Sequence, residues 1–130
     1  MENITLEFTA HQNLNVLSNI NVLSNINVVL KLDESGKSYS ANKQNELSGD
    51  IEVLSMLPKR VLAAFTENAI NKILSKDEIP NESGMMVLDG YSYEIKISNG
   101  GVCKEYDADD ASIETYPLLR YLASWCRNKL

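Results

Sequence analysis

The sequence predicts an α+β protein: an antiparallel sheet, including a C-terminal three-stranded meander, with two main helices packed on one face. Three observations carry this reading. Apolar and polar residues alternate at a period of two in the first third of the chain and again from Met85 to Tyr106. A stretch of helical period follows each of these regions, one opening at Pro58 and one closing the chain. The order strands, helix, strands, helix is that of helices segregated to one side of an antiparallel sheet. At 130 residues, the chain is expected to form a single domain spanning 1–130.

Taken in order, Ile4, Leu6 and Phe8 share one parity and Thr5, Glu7 and Thr9 the other, the pattern of a half-buried strand. The letters NVLSNI then occur twice, as Asn15 to Ile20 and Asn21 to Ile26. From Val16 to Leu32 the even positions are mostly β-branched or apolar, and Asn fills half of the odd ones, with Leu17, Leu23 and Val29 as exceptions and Lys31 at the end. A helix would scatter those apolar side chains around its circumference, so the stretch reads as strand. Six is an even number, and duplicating six residues in a strand leaves every later side chain on its original face. The repeat is therefore read as a tolerated duplication. A break or bulge is expected between about Asn15 and Asn21, because the whole run exceeds ordinary strand length.

"DESGKS", from Asp33 to Ser38, predicts a turn, with Tyr39 onward returning antiparallel. "SANKQNELSGD" reads as a polar connector, followed by a short apolar piece from Ile51 to Leu54. Pro58 then suits a first helical turn, and Val61, Leu62, Phe65, Ala69, Ile73 and Leu74 recur at helical spacing, predicting one helix through "LPKRVLAAFTENAINKILSK".

"DEIPNESG" reads as a loop, and Asp89-Gly90 and Asn99-Gly100 are dipeptides preferred in two-residue hairpin turns. The first predicts Leu88 opposite Tyr91 and Met86 opposite Tyr93. The second predicts Ile97 opposite Val102 and Tyr93 opposite Tyr106. Both place Tyr91, Tyr93, Ile95 and Ile97 on one face and Ser92, Glu94, Lys96 and Ser98 on the other. The last helix carries a stripe of Leu118, Leu119, Leu122, Trp125 and Cys126. Thr115 or Ser112 is the expected cap, and Arg127 and Lys129 suit the C-terminal end.

Charge and composition restrict function. A net charge of −6 disfavours contact with a phosphate backbone and suits a basic protein partner. The N-terminus has neither the basic nor the apolar region of a signal peptide, and no apolar run reaches membrane-spanning length. Two cysteines, Cys103 and Cys126, fit reduced thiols better than a disulfide framework. The expectation is a cytoplasmic protein with no nucleic-acid or membrane partner.

Catalytic material is thin. His11 is the single histidine and reads as a solvated loop residue beside a strand end. Cys126 falls on an apolar stripe, and Gly90, Gly100 and Gly101 are turn residues with no phosphate-binding pattern. No enzyme activity and no cofactor or metal is expected. The densest polar cluster is "CKEYDADDASIE". Asp107 and Asp109 have the opening spacing of a calcium loop, but Ala111 stands where the third ligand belongs. Two readings compete for the cluster. Its acids complement the dipole of the following helix, or Glu105, Tyr106, Asp107, Asp109 and Asp110 form a contact patch for a basic partner, with Tyr106 as aromatic anchor.

In size, acidic composition and strand–helix–meander–helix order, the chain resembles the immunity proteins of bacterial contact-dependent inhibition and related toxin systems. The resemblance rests on that order and not on a motif, so it transfers no residue roles. It implies direct neutralisation of a cognate toxin domain, often a nuclease, by covering its active site or a neighbouring surface. The alternative is an acidic chaperone or adaptor for a secreted or phage protein.

Overall fold

The computed structural model describes residues 3–13, 24–45, 48–79 and 90–130. Four strands come first: β1 (Ile4–Asn13), β2 (Ser24–Asp33), β3 (Gly36–Asn45) and β4 (Ile51–Leu54). Helices α1 (Lys59–Ala64) and α2 (Glu67–Leu74) follow, then β5 (Gly90–Asn99), β6 (Val102–Asp109) and α3 (Pro117–Lys129). The strands form one antiparallel sheet in the order β4-β3-β2-β1-β5-β6. This is the predicted α+β architecture, with β1 at the centre between β2 and β5.

Parity sets the core. Ile4, Leu6, Phe8 and Ala10 of β1 lie opposite Leu32, Leu30, Val28 and Ile26 of β2 on one side. On the other side, Leu6, Phe8 and Ala10 lie opposite Ile97, Ile95 and Tyr93 of β5. Directly opposed residues share a face, so these side chains form one apolar surface, and all but the half-buried Leu32 are buried. Phe8 and Tyr93 stack across the strands at 5.2 Å. The helices cover this face with Val61, Phe65, Ile70, Ile73, Leu118, Leu119, Leu122, Trp125 and Cys126, all buried. The expected stripe of the last helix is thus buried in full.

Several expectations are corrected. The stretch "SANKQN" is strand, the second half of β3, and not connector. Its side chains favour loops, but backbone pairing with both β2 and β4 overrides that weak preference. The single helix from Pro58 is two helices. Phe65 and Thr66 leave helical geometry, and the Thr66 hydroxyl accepts from the Ala69 backbone N–H at 3.2 Å as the N-cap of α2. At α3, neither Thr115 nor Ser112 caps the helix. Tyr116 holds the cap position without a side-chain bond, and Pro117 occupies the first helical position, where a missing N–H leaves nothing unsatisfied.

The hairpin turns differ in detail. Gly100 takes a φ of 61°, a conformation open to glycine, and Gly100-Gly101 form the loop between Asn99 and Val102. Ile97 therefore pairs with Lys104 and Ile95 with Tyr106, two residues out of the predicted register but on the predicted faces. Across its other edge β5 pairs with β1, where Tyr91 and Tyr93 face Gln12 and Ala10. The first strand of the predicted meander, with Met86, Leu88 and Asp89, and most of the NVLSNI repeat, with the break expected between Asn15 and Asn21, lie outside the described residues. Ser24 to Ile26, the end of the second copy, open β2 on the expected parity, with Ser24 and Ile26 buried. After Asp33 the return begins at Gly36, at a φ of 116°. Asp33 accepts from the Ser35 hydroxyl and backbone N–H, which holds its carboxyl below the usual range.

Three lysines occupy the apolar parity of the sheet without entering the core. Lys37, Lys43 and Lys104 lie opposite Leu32, Ile26 and Ile97. Each reaches a C-terminal carbonyl of a different helix: Lys37 bonds Leu62 of α1, Lys104 bonds Leu74 of α2 at 2.9 Å, and Lys43 bonds Lys129 of α3 at 2.7 Å. The stems cross apolar ground and the ammonium groups meet the negative ends of the helix dipoles.

Candidate functional site

The odd parity of the central strands faces away from the helices. Through β1 and β2 it is mostly polar and half-buried, with Thr9 accepting from the Asn27 side-chain amide at 2.9 Å. On the even positions of β5 and the odd positions of β6 the same face becomes acidic and exposed. Glu94 stands directly opposite Asp107, and Lys96 directly opposite Glu105. The Lys96 ammonium lies 3.9 Å from the Glu105 carboxylate, with both side chains largely in solvent. Glu7 of β1 neighbours Lys96, and His11 Nε2 is 3.8 Å from Glu94. A shallow groove of about 420 Å³ is lined by Glu94, Ile95, Lys96, Glu105, Tyr106 and Asp107.

Exposed ion pairs of this kind contribute about 0–1 kcal/mol to stability. The chemical capacity of the surface is accordingly electrostatic: it presents the carboxylates of Glu94, Glu105 and Asp107 to solvent, with the Lys96 ammonium among them.

The five residues expected to form one patch are divided by the fold. Glu105 and Asp107 are exposed on the open face. Tyr106, between them, points to the opposite side and is 4% exposed. Its hydroxyl lies 2.8 Å from the Lys76 carbonyl and 3.1 Å from that of Ile73, closing the end of α2. Burial, followed by the nearby Asp77 carboxylate, raises its pKa.

Asp109 ends β6 in a closed turn with Ser112. Its carboxylate accepts from the Ser112 N–H at 2.9 Å, while its own N–H donates to the Ser112 hydroxyl at 2.9 Å. Asp110 accepts from the Tyr93 hydroxyl and from Arg127 Nη1, tying the β6–α3 turn to β5 and to the last turns of α3. Burial and then the bond to Asp110 push the Tyr93 hydroxyl well above its ordinary pKa. The helix-dipole reading also fails on geometry, since α3 begins at Pro117 and has no acid in its first turn.

Glu94 joins the site instead. It lay on the predicted polar face, but an isolated acid between serine and lysine-bearing positions gave no signal of its own. Only the hairpin register, which sets it against Asp107, brings it into the row.

The remaining candidates take other places. His11 lies within β1, opposite Asn25 and Ser92, and not in a loop. Cys103 is exposed on the open face, whereas burial pushes the Cys126 thiol up to about 12. Tyr121 packs beneath the guanidinium groups of Arg60 and Arg120, at 5.1 and 5.3 Å. Among the described residues there is no group of three or more metal-binding side chains. No helix among them is long and apolar enough to cross a membrane. No protein-family model, curated protein or solved structure matches the chain.

Proposed function

We propose that the protein is a non-enzymatic, cytoplasmic binding protein that neutralises a basic protein partner, as an immunity protein neutralises its cognate toxin domain. The contact surface in this reading is the outward side of β5 and β6, with Glu94, Glu105 and Asp107 as its charged row. The observation that carries it is the opposition of Glu94 and Asp107. Like charges directly across a ladder are destabilising, and an arginine or lysine set between them would relieve that repulsion.

The test is a combined variant, Glu94→Gln, Glu105→Gln and Asp107→Asn, titrated calorimetrically against the co-purifying partner at two ionic strengths. The expected result is a dissociation constant weakened by at least about tenfold at low salt and by less at high salt. The melting temperature should stay nearly level, since relief of the repulsion between Glu94 and Asp107 offsets the loss of the exposed Lys96–Glu105 pair. An unchanged dissociation constant at both salt concentrations would exclude this surface from the interface.

A further inference from the structure

The two edges of the sheet are differently finished. On β6 the outward parity carries Cys103, Glu105 and Asp107, and charge on an edge strand discourages further pairing. On β4 the outward parity carries Ile51 and Val53, which are 65% and 78% exposed. β4 pairs with β3 on one side, and no described strand flanks the other. Just beyond it, Met56 is 79% exposed and holds a φ of 66°. A left-handed conformation costs a side-chain-bearing residue about 1–2 kcal/mol, so chain geometry alone favours glycine at that position.

The other parity of β4 points toward the helix side and carries the exposed Glu52, with the exposed Asp50 just ahead of it. Lys43 is the cross-strand neighbour of Glu52, but its ammonium donates to the Lys129 carbonyl at the end of α3. A strand added outside β4 would therefore set alternate residues beside Ile51 and Val53, and the intervening ones beside Asp50 and Glu52.

We propose that the outer edge of β4 accepts an extended segment of a protein partner in which lysine or arginine alternates with apolar side chains. Apolar residues of that segment cover Ile51 and Val53, and its cations meet Asp50 and Glu52. A second copy of the chain is a poorer occupant. Pairing β4 with itself about Glu52 sets the two Glu52 carboxylates against each other. Pairing about Val53 sets Glu52 beside Leu54 of the second copy, with no cation at either carboxylate. The edge lies across the sheet from β5 and β6, so the inference does not depend on the acidic row described above.

The probe is a capped peptide of about eight residues alternating lysine and valine, compared with an isomer carrying its lysines in one block and its valines in another. Amide exchange and chemical shifts of the isotopically labelled full chain report where each binds. The alternating peptide is expected to slow exchange at the outward amides of Ile51 to Leu54, and the block isomer is not. Glu52→Lys and Val53→Lys, both at exposed positions, should each weaken the alternating peptide by about tenfold or more with an unchanged circular dichroism spectrum. Equal binding of the two peptides, or protection confined to other strands, overturns the proposal. So does sedimentation of the peptide-free chain as a dimer with β4 amides already protected, which would give the edge to a second copy.

Discussion

The two faces of the sheet are built from alternate residues of the same strands, and they do different work. In β1, Phe8 is fully buried while its neighbours Glu7 and Thr9 are half-exposed on the other side. In β6, Tyr106 closes a helix end inside the fold, and Glu105 and Asp107 on either side of it stand in solvent. The apolar face is covered by three helices and gathers nearly all the large buried side chains. The open face contributes cross-strand polar contacts and a row of carboxylates. Stability and surface charge are thereby assigned to opposite parities of one chain. A charge on the outer face can change without touching the core, whereas a one-residue slip would exchange the two roles.

Changing one residue of each parity should expose that division most visibly. Phe8→Ala is expected to lose about 3–5 kcal/mol in urea unfolding, through lost burial and the cavity left against Tyr93. Glu7→Gln, one residue away, should stay within about 0.5 kcal/mol of the wild type. Comparable losses at both sites would mean that the open face also carries stability. A finer version uses β6. Tyr106→Phe removes one of the donors to the carbonyls of Ile73 and Lys76, which keep the Lys76 N–H and the Lys104 ammonium, and should lower stability by about 1 kcal/mol while sparing partner affinity. Asp107→Asn should do the reverse, and a loss of affinity in Tyr106→Phe without a loss of stability would restore Tyr106 to the interface.

The parity of the strands was legible because alternation is a local signal, repeated several times in each strand. Ile4, Leu6, Phe8, Tyr93, Ile95 and Ile97 fall where their letters put them, and so does the stripe of α3. Strand order was not legible. That β1 lies between β2 and β5 depends on packing between residues some ninety positions apart, and no local pattern encodes it. In the acidic cluster, adjacency along the chain is not adjacency on a surface. Strand alternation turns Tyr106 inward, and the end of β6 folds Asp109 and Asp110 into a turn. The break at Thr66 did have a signal, a threonine followed by an acid at the start of a helical turn. It was masked by the continuous apolar period running from Val61 to Leu74.

Smaller effects sharpen the boundary between the faces. Thr66→Ala removes the cap of α2 and should lower stability by about 1 kcal/mol, read from the shift in urea midpoint. The cysteines provide a chemical check. Cys103 is exposed and Cys126 buried, so a thiol reagent should titrate one group per native chain and the second only on unfolding. Two thiols reacting at once in the native protein would place Cys126 outside the core.

The smallest change is expected from the most conspicuous feature of the sequence. Because the two copies of NVLSNI are identical, deleting Asn21 to Ile26 lets Ser18, Asn19 and Ile20 stand where Ser24, Asn25 and Ile26 stood. The sequence of β2 is then unaltered, and the stretch between Asn13 and Ser24 falls from ten residues to four. Four residues suffice for a hairpin connection, and shortening a loop by this factor changes closure entropy by less than about 1 kcal/mol. The melting temperature should hardly move. Deleting only Asn21 to Asn25 is a different matter. It sets Asn19 in the buried place of Ser24 and Ile20 in the outward place of Asn25, reversing parity at the start of the strand. Burying an amide there without a partner costs about 1–3 kcal/mol, so the shorter deletion should be the more damaging one. If thermal melts of the two variants coincide, the buried parity of β2 begins later than Ser24. If the six-residue deletion is the worse, the residues between Asn13 and Ser24 carry contacts that sequence parity does not encode.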